Sequence, residues 1–203
     1  HVCNLKCTWC DAYYTWNPNS EEFWTESFLL HVDDVAKQLE EQWGCEQLDT
    51  SKRLVITGGE PLLQKELIDA LLEALPEWTI EIETNGTIMP TKRQLRECQF
   101  NCSPKLSNSD NSERSRIRPK VLEAINQGNT QFKFVVTKET DFLEIESDFL
   151  PYIDRDKVVI MPQGVTAQEV TRTAQSIVAK TLSSGYRLMT RLHVDLWGAK
   201  RRV

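Results

Sequence analysis

The chain has 203 residues, of which 40% are hydrophobic and 27% charged, and its formal net charge is −6 at pH 7. That is the balance of a folded globular domain with room for a full core. It argues against a nucleic-acid surface, which would be basic, and no apolar run is long enough to cross a membrane.

In chain order, HVCNLKCTWC places Cys3, Cys7 and Cys10 in one loop. The chain opens on histidine, and no strand or helix leads into that loop, so the expectation is that an N-terminal segment with a first strand is missing. A helix is expected over Val32–Trp43. Arg53–Thr57 is a β-branched run that stops at Gly58-Gly59. Pro61–Leu75 follows as a helix, with Leu63, Leu67, Leu71 and Leu75 four apart. Trp78–Glu83 alternates as a strand does and meets the turn signal Asn85-Gly86. Phe100–Ser103 is a short strand before Pro104. Ser107–Pro119 is the most polar stretch and reads as a mobile loop. Helices are expected at Pro119–Asn126 and Phe142–Leu150, and strands at Phe132–Thr137 and Lys157–Met161. Thr166 and Glu169 form a capping box that opens a helix running to about Ser184, where Gly185 ends it. Arg187–Val194 reads as the last strand. The alternation predicts one α/β domain over residues 1–203, with a mostly parallel sheet, open or curved into a barrel.

Four strand ends carry polar tips containing glycine or proline: TGGEP, ETNG, SPK and MPQG. In parallel α/β folds the C-terminal strand ends share one mouth, where active sites sit. Each tip alone is a turn; their common location is the informative part. The cysteines need a separate account. Three thiols in one loop do not make a disulfide scaffold, and a chain this long does not need one, so a reducing cytosol is the expected setting. Zinc usually takes four ligands, and neither His1 nor Cys45 has convincing spacing for the fourth. Three thiolates on a four-iron cluster would leave one iron open to bind a substrate or cofactor.

The C-x3-C-x2-C loop with an aromatic before its last cysteine, followed by GGEP, resembles the signature of radical S-adenosylmethionine (SAM) enzymes. Within that superfamily the chain looks like the 7-carboxy-7-deazaguanine synthase family. The matching pieces are CNLKCTWCD with YTW after it, TGGEPLLQ, ETNGT, SPK, KFVV, MPQG and HVDLWGAKRR. They span almost the whole chain in order. The resemblance implies a partial (βα) barrel of about six mostly parallel strands. It implies a 4Fe-4S cluster on Cys3, Cys7 and Cys10, with SAM on the open iron. Gly58, Gly59 and Glu60 would meet SAM, as would Ser103, Pro104 and Lys105, and Met161, Pro162, Gln163 and Gly164 near its adenosine. Thr57 would touch substrate, and Glu83 and Asn85 line the same mouth. Val203 is a candidate substrate contact, while Arg201 and Arg202 read first as a solvated tail. Trp9 reads either as a neighbour of the cluster or adenine, or as an ordinary buried aromatic.

The implied reaction is the radical ring contraction of a small-molecule pterin, 6-carboxy-5,6,7,8-tetrahydropterin, with loss of ammonia. The implied partners are an electron donor such as flavodoxin and a second copy in a homodimer, with neither nucleic acid nor membrane. One residue departs from the family pattern. The family supplies a hydroxyl to magnesium two positions after the last cluster cysteine, and here that position is Ala12. Thr15, Asp11 or water could substitute. Cys45, Cys98 and Cys102 read as buried thiols, His31 and His193 as structural, and Trp197-Gly198 as packing. Two other readings stay open: a glycyl-radical-enzyme activating enzyme, and a non-catalytic iron–sulfur electron-transfer module.

Overall fold

The computed structural model describes residues 2–44, 51–198 and 200. His1, Cys45, Arg201, Arg202 and Val203, named above, lie outside the described residues. After the cysteine loop come a short 3-10 turn at Tyr13–Thr15, α1 (Glu21–Thr25) and α2 (Val32–Gly44). The strand–helix alternation then runs β1 (Arg53–Ile56), α3 (Lys65–Ala74), β2 (Thr79–Thr84), α4 (Lys92–Glu97) and β3 (Gln99–Cys102). It continues through α5 (Glu113–Arg116), α6 (Pro119–Asn126), β4 (Thr130–Val136), α7 (Asp141–Glu144), β5 (Val158–Pro162), α8 (Ala167–Ser183), β6 (Arg187–Leu188) and α9 (Leu192–Trp197).

The six strands form one sheet in the order β1-β2-β3-β4-β5-β6, and every neighbouring pair is parallel. Among the described residues the sheet is open, with β1 and β6 at its edges. All six C-terminal strand ends therefore lie on one side.

The two faces of the sheet differ. In β2, Ile80 and Ile82 are buried, while Glu81 and Glu83 point the other way and are only partly covered. Phe100, Phe132, Phe134 and Ile160 join Ile80 and Ile82 in one core with Ile68 and Leu72 of α3, Leu122 and Ile125 of α6, and Ile177 of α8. The opposite face carries polar pairs: Arg53 with Glu81 at 2.7 Å, Asn101 with Glu81 at 3.1 Å, and Lys133 with Glu83 at 3.2 Å. Parallel sheets buried on both faces read as continuous apolar runs. Here β1, β2, β3 and the first half of β4 alternate instead, while the end of β4 and the start of β5 are buried on both faces.

Several expected elements differ. The expected strand over Arg187–Val194 contains only β6 at Arg187–Leu188. Met189 N extends the pairing by one bond to the Ile160 carbonyl at 2.9 Å, and the chain then turns into α9. Leu192 and Leu196 stand at a helical spacing of four, and Thr190 Oγ1 donates to Asp195 Oδ2 at 2.5 Å across the turn. Pro61–Leu75 is not one helix: a 3-10 turn at Pro61–Gln64 precedes α3. That break shifts the register, so Leu63 and Leu67 are exposed while Leu62, Ile68 and Leu72 are buried. Phe142–Leu150 is α7 followed by a π-helical turn at Ile145–Phe149. The polar stretch Ser107–Pro119 is packed, with a 3-10 turn at Ser107–Ser109, α5, and buried Ser109 and Arg116. His31 and His193 are exposed and hold no core position, and Trp197 is 50% exposed. The capping box of Thr166 and Glu169 is present, and Cys98 and Cys102 are buried free thiols.

Candidate active site

The cysteine loop lies across the C-terminal strand ends. Glu60 N donates to the Val2 carbonyl at 2.8 Å, and Cys3 N to the Thr15 carbonyl at 3.0 Å. Gly59 explains the closeness of the first contact: a Cβ there would stand 2.3 Å from the Val2 carbonyl oxygen. The glycine that the sequence suggested for approach to a ligand also admits the backbone of the cysteine loop. Further along, Asn111 takes a hydrogen bond from Lys6 N at 3.0 Å and donates to Cys7 Sγ at 3.3 Å. Trp9 Nε1 donates to the Asn108 carbonyl at 3.0 Å, and Asn108 is itself fixed by Asp141 at 2.8 Å. The Asn85 amide donates to Asn4 Oδ1 at 2.9 Å and lies 4.0 Å from Cys3 Sγ.

Between loop and sheet is a cavity of about 370 Å³, within the range of small-molecule sites. Cys3, Cys7, Cys10 and Trp9 form one wall. Thr57, Gly58 and Gly59 enter from the end of β1, and Glu83 and Asn85 from β2. Ser103 and Lys105 come from the end of β3, Lys133 and Val135 from β4, and Met161 from β5. Arg191 and His193 close it from beyond β6. Strands β1 to β5 or their immediate ends thus contribute, with the segment after β6. Pro104, Pro162, Gln163 and Gly164 are not among the lining residues; Gly164 packs on the start of α8, where a Cβ would meet Val170 N at 2.5 Å. The Glu60 carboxylate faces away, accepting from Thr84 Oγ1 at 2.8 Å, Asn85 N at 2.7 Å and Leu62 N at 3.0 Å.

Burial pushes the Cys3 and Cys7 thiols up from their ordinary range. The Leu5 backbone and Lys105 pull Cys3 back in part, and Lys105 and the Asn111 amide do so for Cys7. Lys105 Nζ lies 2.9 Å from Ser103 Oγ and 5.6 Å above the Trp9 ring. Among the described residues no three His, Cys, Asp or Glu side chains converge on a single-ion site. A cluster that takes one thiolate on each of three irons fits the three separate thiols, and N–H donors at the sulfurs are a recognised means of tuning such a cluster.

Magnesium is poorly provided for. Ala12 carries no side-chain oxygen. Thr15 is 2% exposed and donates its hydroxyl to the Ala12 carbonyl at 2.8 Å. Asp11, which read as a turn residue, has one oxygen on Arg191. A hard cation needs several oxygen ligands, and of these side chains only the 61% exposed Asp11 carboxylate keeps an oxygen to offer.

Arg191, Asn108 and Asn111 lie in none of the quoted motifs; Trp16 and Lys133 lie within YTW and KFVV without a role of their own, and His193, which read as structural, lines the cavity. The available signal was positional: TRLH follows β6 as TGGEP follows β1, and NSDN turns back on the loop through Asp110, whose φ is 64°.

The Radical SAM superfamily profile matches residues 1–103. The 7-carboxy-7-deazaguanine synthase of Halobacterium salinarum is 32% identical, over 96% of this chain and 79% of its own length. That of Pyrobaculum aerophilum is 31% identical, over 98% and 84%. The crystal structure of QueE from Escherichia coli superposes with a TM-score of 0.64 over 94% of this chain and 82% of that one, at 21% identity, a likeness of fold.

Proposed function

The chain belongs to the radical SAM superfamily and, within it, to the 7-carboxy-7-deazaguanine synthase family, and on that footing we propose that it converts 6-carboxy-5,6,7,8-tetrahydropterin to 7-carboxy-7-deazaguanine, with loss of ammonia, as a step toward queuosine and related deazapurines. The observation that carries this reading is the shared cavity: three thiols on one wall, and on the others the ends of β1 to β5 and the segment after β6.

When bound, the cluster and SAM supply an organic radical for hydrogen abstraction. The protein's part is to seat, orient and shield. Cys3, Cys7 and Cys10 hold the cluster, and the Asn85 and Asn111 amides steady two of those sulfurs. Gly58 and Gly59 offer a backbone close to the cavity for the polar end of SAM, with Ser103 and Lys105 opposite. Met161 gives the adenosine an apolar surface, while Pro104, Pro162, Gln163 and Gly164 support the two strand tips. Glu60 acts from beneath the mouth, by fixing Thr84 and Asn85. Thr57, Glu83 and Asn85 offer acceptors and donors to the pterin ring. An external one-electron donor such as flavodoxin, a reducing cytosol and a homodimer complete the reading. No helix among the described residues is long and apolar enough to cross a membrane.

Anaerobic reconstitution with iron and sulfide, then incubation with SAM, reductant and the carboxytetrahydropterin, tests the proposal. Formation of the deazaguanine is the expected result. Its absence from protein with an intact cluster that still cleaves SAM would overturn it.

A further inference from the structure

Arg191 is the residue of this mouth that no motif explains. It precedes α9, yet its side chain reaches back into the cavity wall and is only 10% exposed. Nη1 donates to the Gly164 carbonyl at 2.6 Å, and Nη2 to Asp11 Oδ2. One guanidinium thus ties the cysteine loop to the end of β5 and to the segment after β6. Two of its five N–H donors are used in this way. Nε is buried with no hydrogen-bond partner among the described residues. The same holds for Trp16 Nε1, which lines the same cavity. Buried donors are almost always satisfied, because leaving one unmade is costly. With Nε enclosed, two N–H donors on Nη1 and Nη2 are left for an acceptor, and beside a guanidinium the fitting acceptor is an anion.

The other cations are differently engaged. Lys133 is paired with Glu83 at 3.2 Å, and Lys105 lies on Ser103 beside the cluster thiols. The cavity holds Lys105, Lys133 and Arg191 against Asp11 and Glu83. The hydroxyl through which the family would orient its substrate by a divalent metal is absent at Ala12, the Thr15 hydroxyl is turned to the Ala12 carbonyl, and one Asp11 oxygen is held by Arg191 itself. We propose that Arg191 takes the place of that metal: its guanidinium, braced by Asp11 and the Gly164 carbonyl, receives the carboxylate of the substrate. Arg191 is planar and permanently charged, so it suits paired hydrogen bonding to a carboxylate better than a lysine would. This inference rests on the pterin reading above and goes beyond it in naming the group that recognises the carboxylate.

The test is anaerobic equilibrium titration of cluster-loaded, SAM-bound protein. The ligands are the 6-carboxytetrahydropterin and the same tetrahydropterin without its carboxylate, each in magnesium and in chelator. Iron content per chain is measured so that equally loaded samples are compared. The expected wild-type Kd for the carboxylated pterin is the same in both conditions. Arg191→Gln, which removes the charge, should weaken that ligand by about tenfold or more, the size of one charge-assisted hydrogen bond. It should leave the ligand without the carboxylate unchanged, and Arg191→Lys should recover part of the loss. A purely structural role for Arg191 would weaken both ligands alike and would overturn the proposal. So would equal affinity of wild type and Arg191→Gln, or a wild-type Kd that tightens about tenfold with magnesium, as expected of a metal that neutralises a carboxylate. The magnesium comparison needs no variant, so it decides even if Arg191→Gln fails to load its cluster. If wild type binds SAM but not the carboxylated pterin, the pterin reading fails with it. If it binds the pterin and Arg191→Gln binds equally well, only the role of Arg191 fails.

Discussion

The Glu60 carboxylate is 2% exposed and takes hydrogen bonds from Thr84, Asn85 and Leu62. Burial is the larger influence on it and raises its pKa above the ordinary 4.5, while those donors pull it down. A carboxyl raised in the native state holds its proton to higher pH than in the unfolded chain, so its ionisation costs stability. The stability it confers is fully present below 4.5 and is lost as pH rises through the raised native value. In urea unfolding, wild type should therefore lose stability over that window relative to Glu60→Gln; parallel pH curves would contradict this. The cysteines allow a sharper contrast. Burial pushes Cys98 up to about 12 and Cys102 further still, so both should resist iodoacetamide in the native state. Cys7→Ala should abolish cluster iron and turnover, and an iron content equal to wild type would refute its role as a ligand. The three cluster cysteines were legible because their spacing is local. Asn111 and Arg191 were not, since they reach the loop across 104 and 180 residues of sequence, and only the folded chain brings them there.

Among the elements, those whose start is set by local chemistry were the most legible. Thr166 and Glu169 close a capping box on α8, and Thr166→Ala should cost about 1 kcal/mol of stability in denaturant melts. The 3-10 turn at Pro61–Gln64 was not legible, because tertiary demand sets it. Glu60 must cap Leu62 and also hold Asn85, and the chain tightens before α3 to allow both. α9 was hidden in a run that also reads as a strand, and the Thr190–Asp195 contact and the reach of Arg191 to Gly164 favour the helix. The tip between β1 and that turn carries a prediction of its own. At Gly59 a methyl group would overlap the Val2 carbonyl, and backbone cannot yield as a flexible side chain does. Gly59→Ala should displace the cysteine loop and lower cluster iron per chain while far-ultraviolet circular dichroism of the sheet and helices is retained. Full iron content in this variant would show that the close approach is dispensable.

Taken whole, the molecule is a parallel sheet with an apolar outer face under helices and a polar inner face under a loop. The α/β class and the common mouth were legible from alternation and from the four tips. The open edge-to-edge order was not, since local periodicity says nothing about which strands pair. Because the cluster would bind only the folded arrangement of loop and mouth, anaerobic iron chelation should lower the melting temperature; an unchanged melt would disconnect the cluster from the fold. The strand order carries one more consequence. Each strand pairs with the one synthesised just before it, so the sheet can grow by addition at one edge as the chain leaves the ribosome. The three thiols emerge ahead of the groups that steady them, which arrive in turn: Asn85, then Lys105, and last Asn111. Until Asn111 is made, the thiols have no complete seat. Iron delivery to this protein is therefore a late event of its biogenesis, and a ribosome stalled before Asn111 should carry a nascent chain that holds no stable cluster.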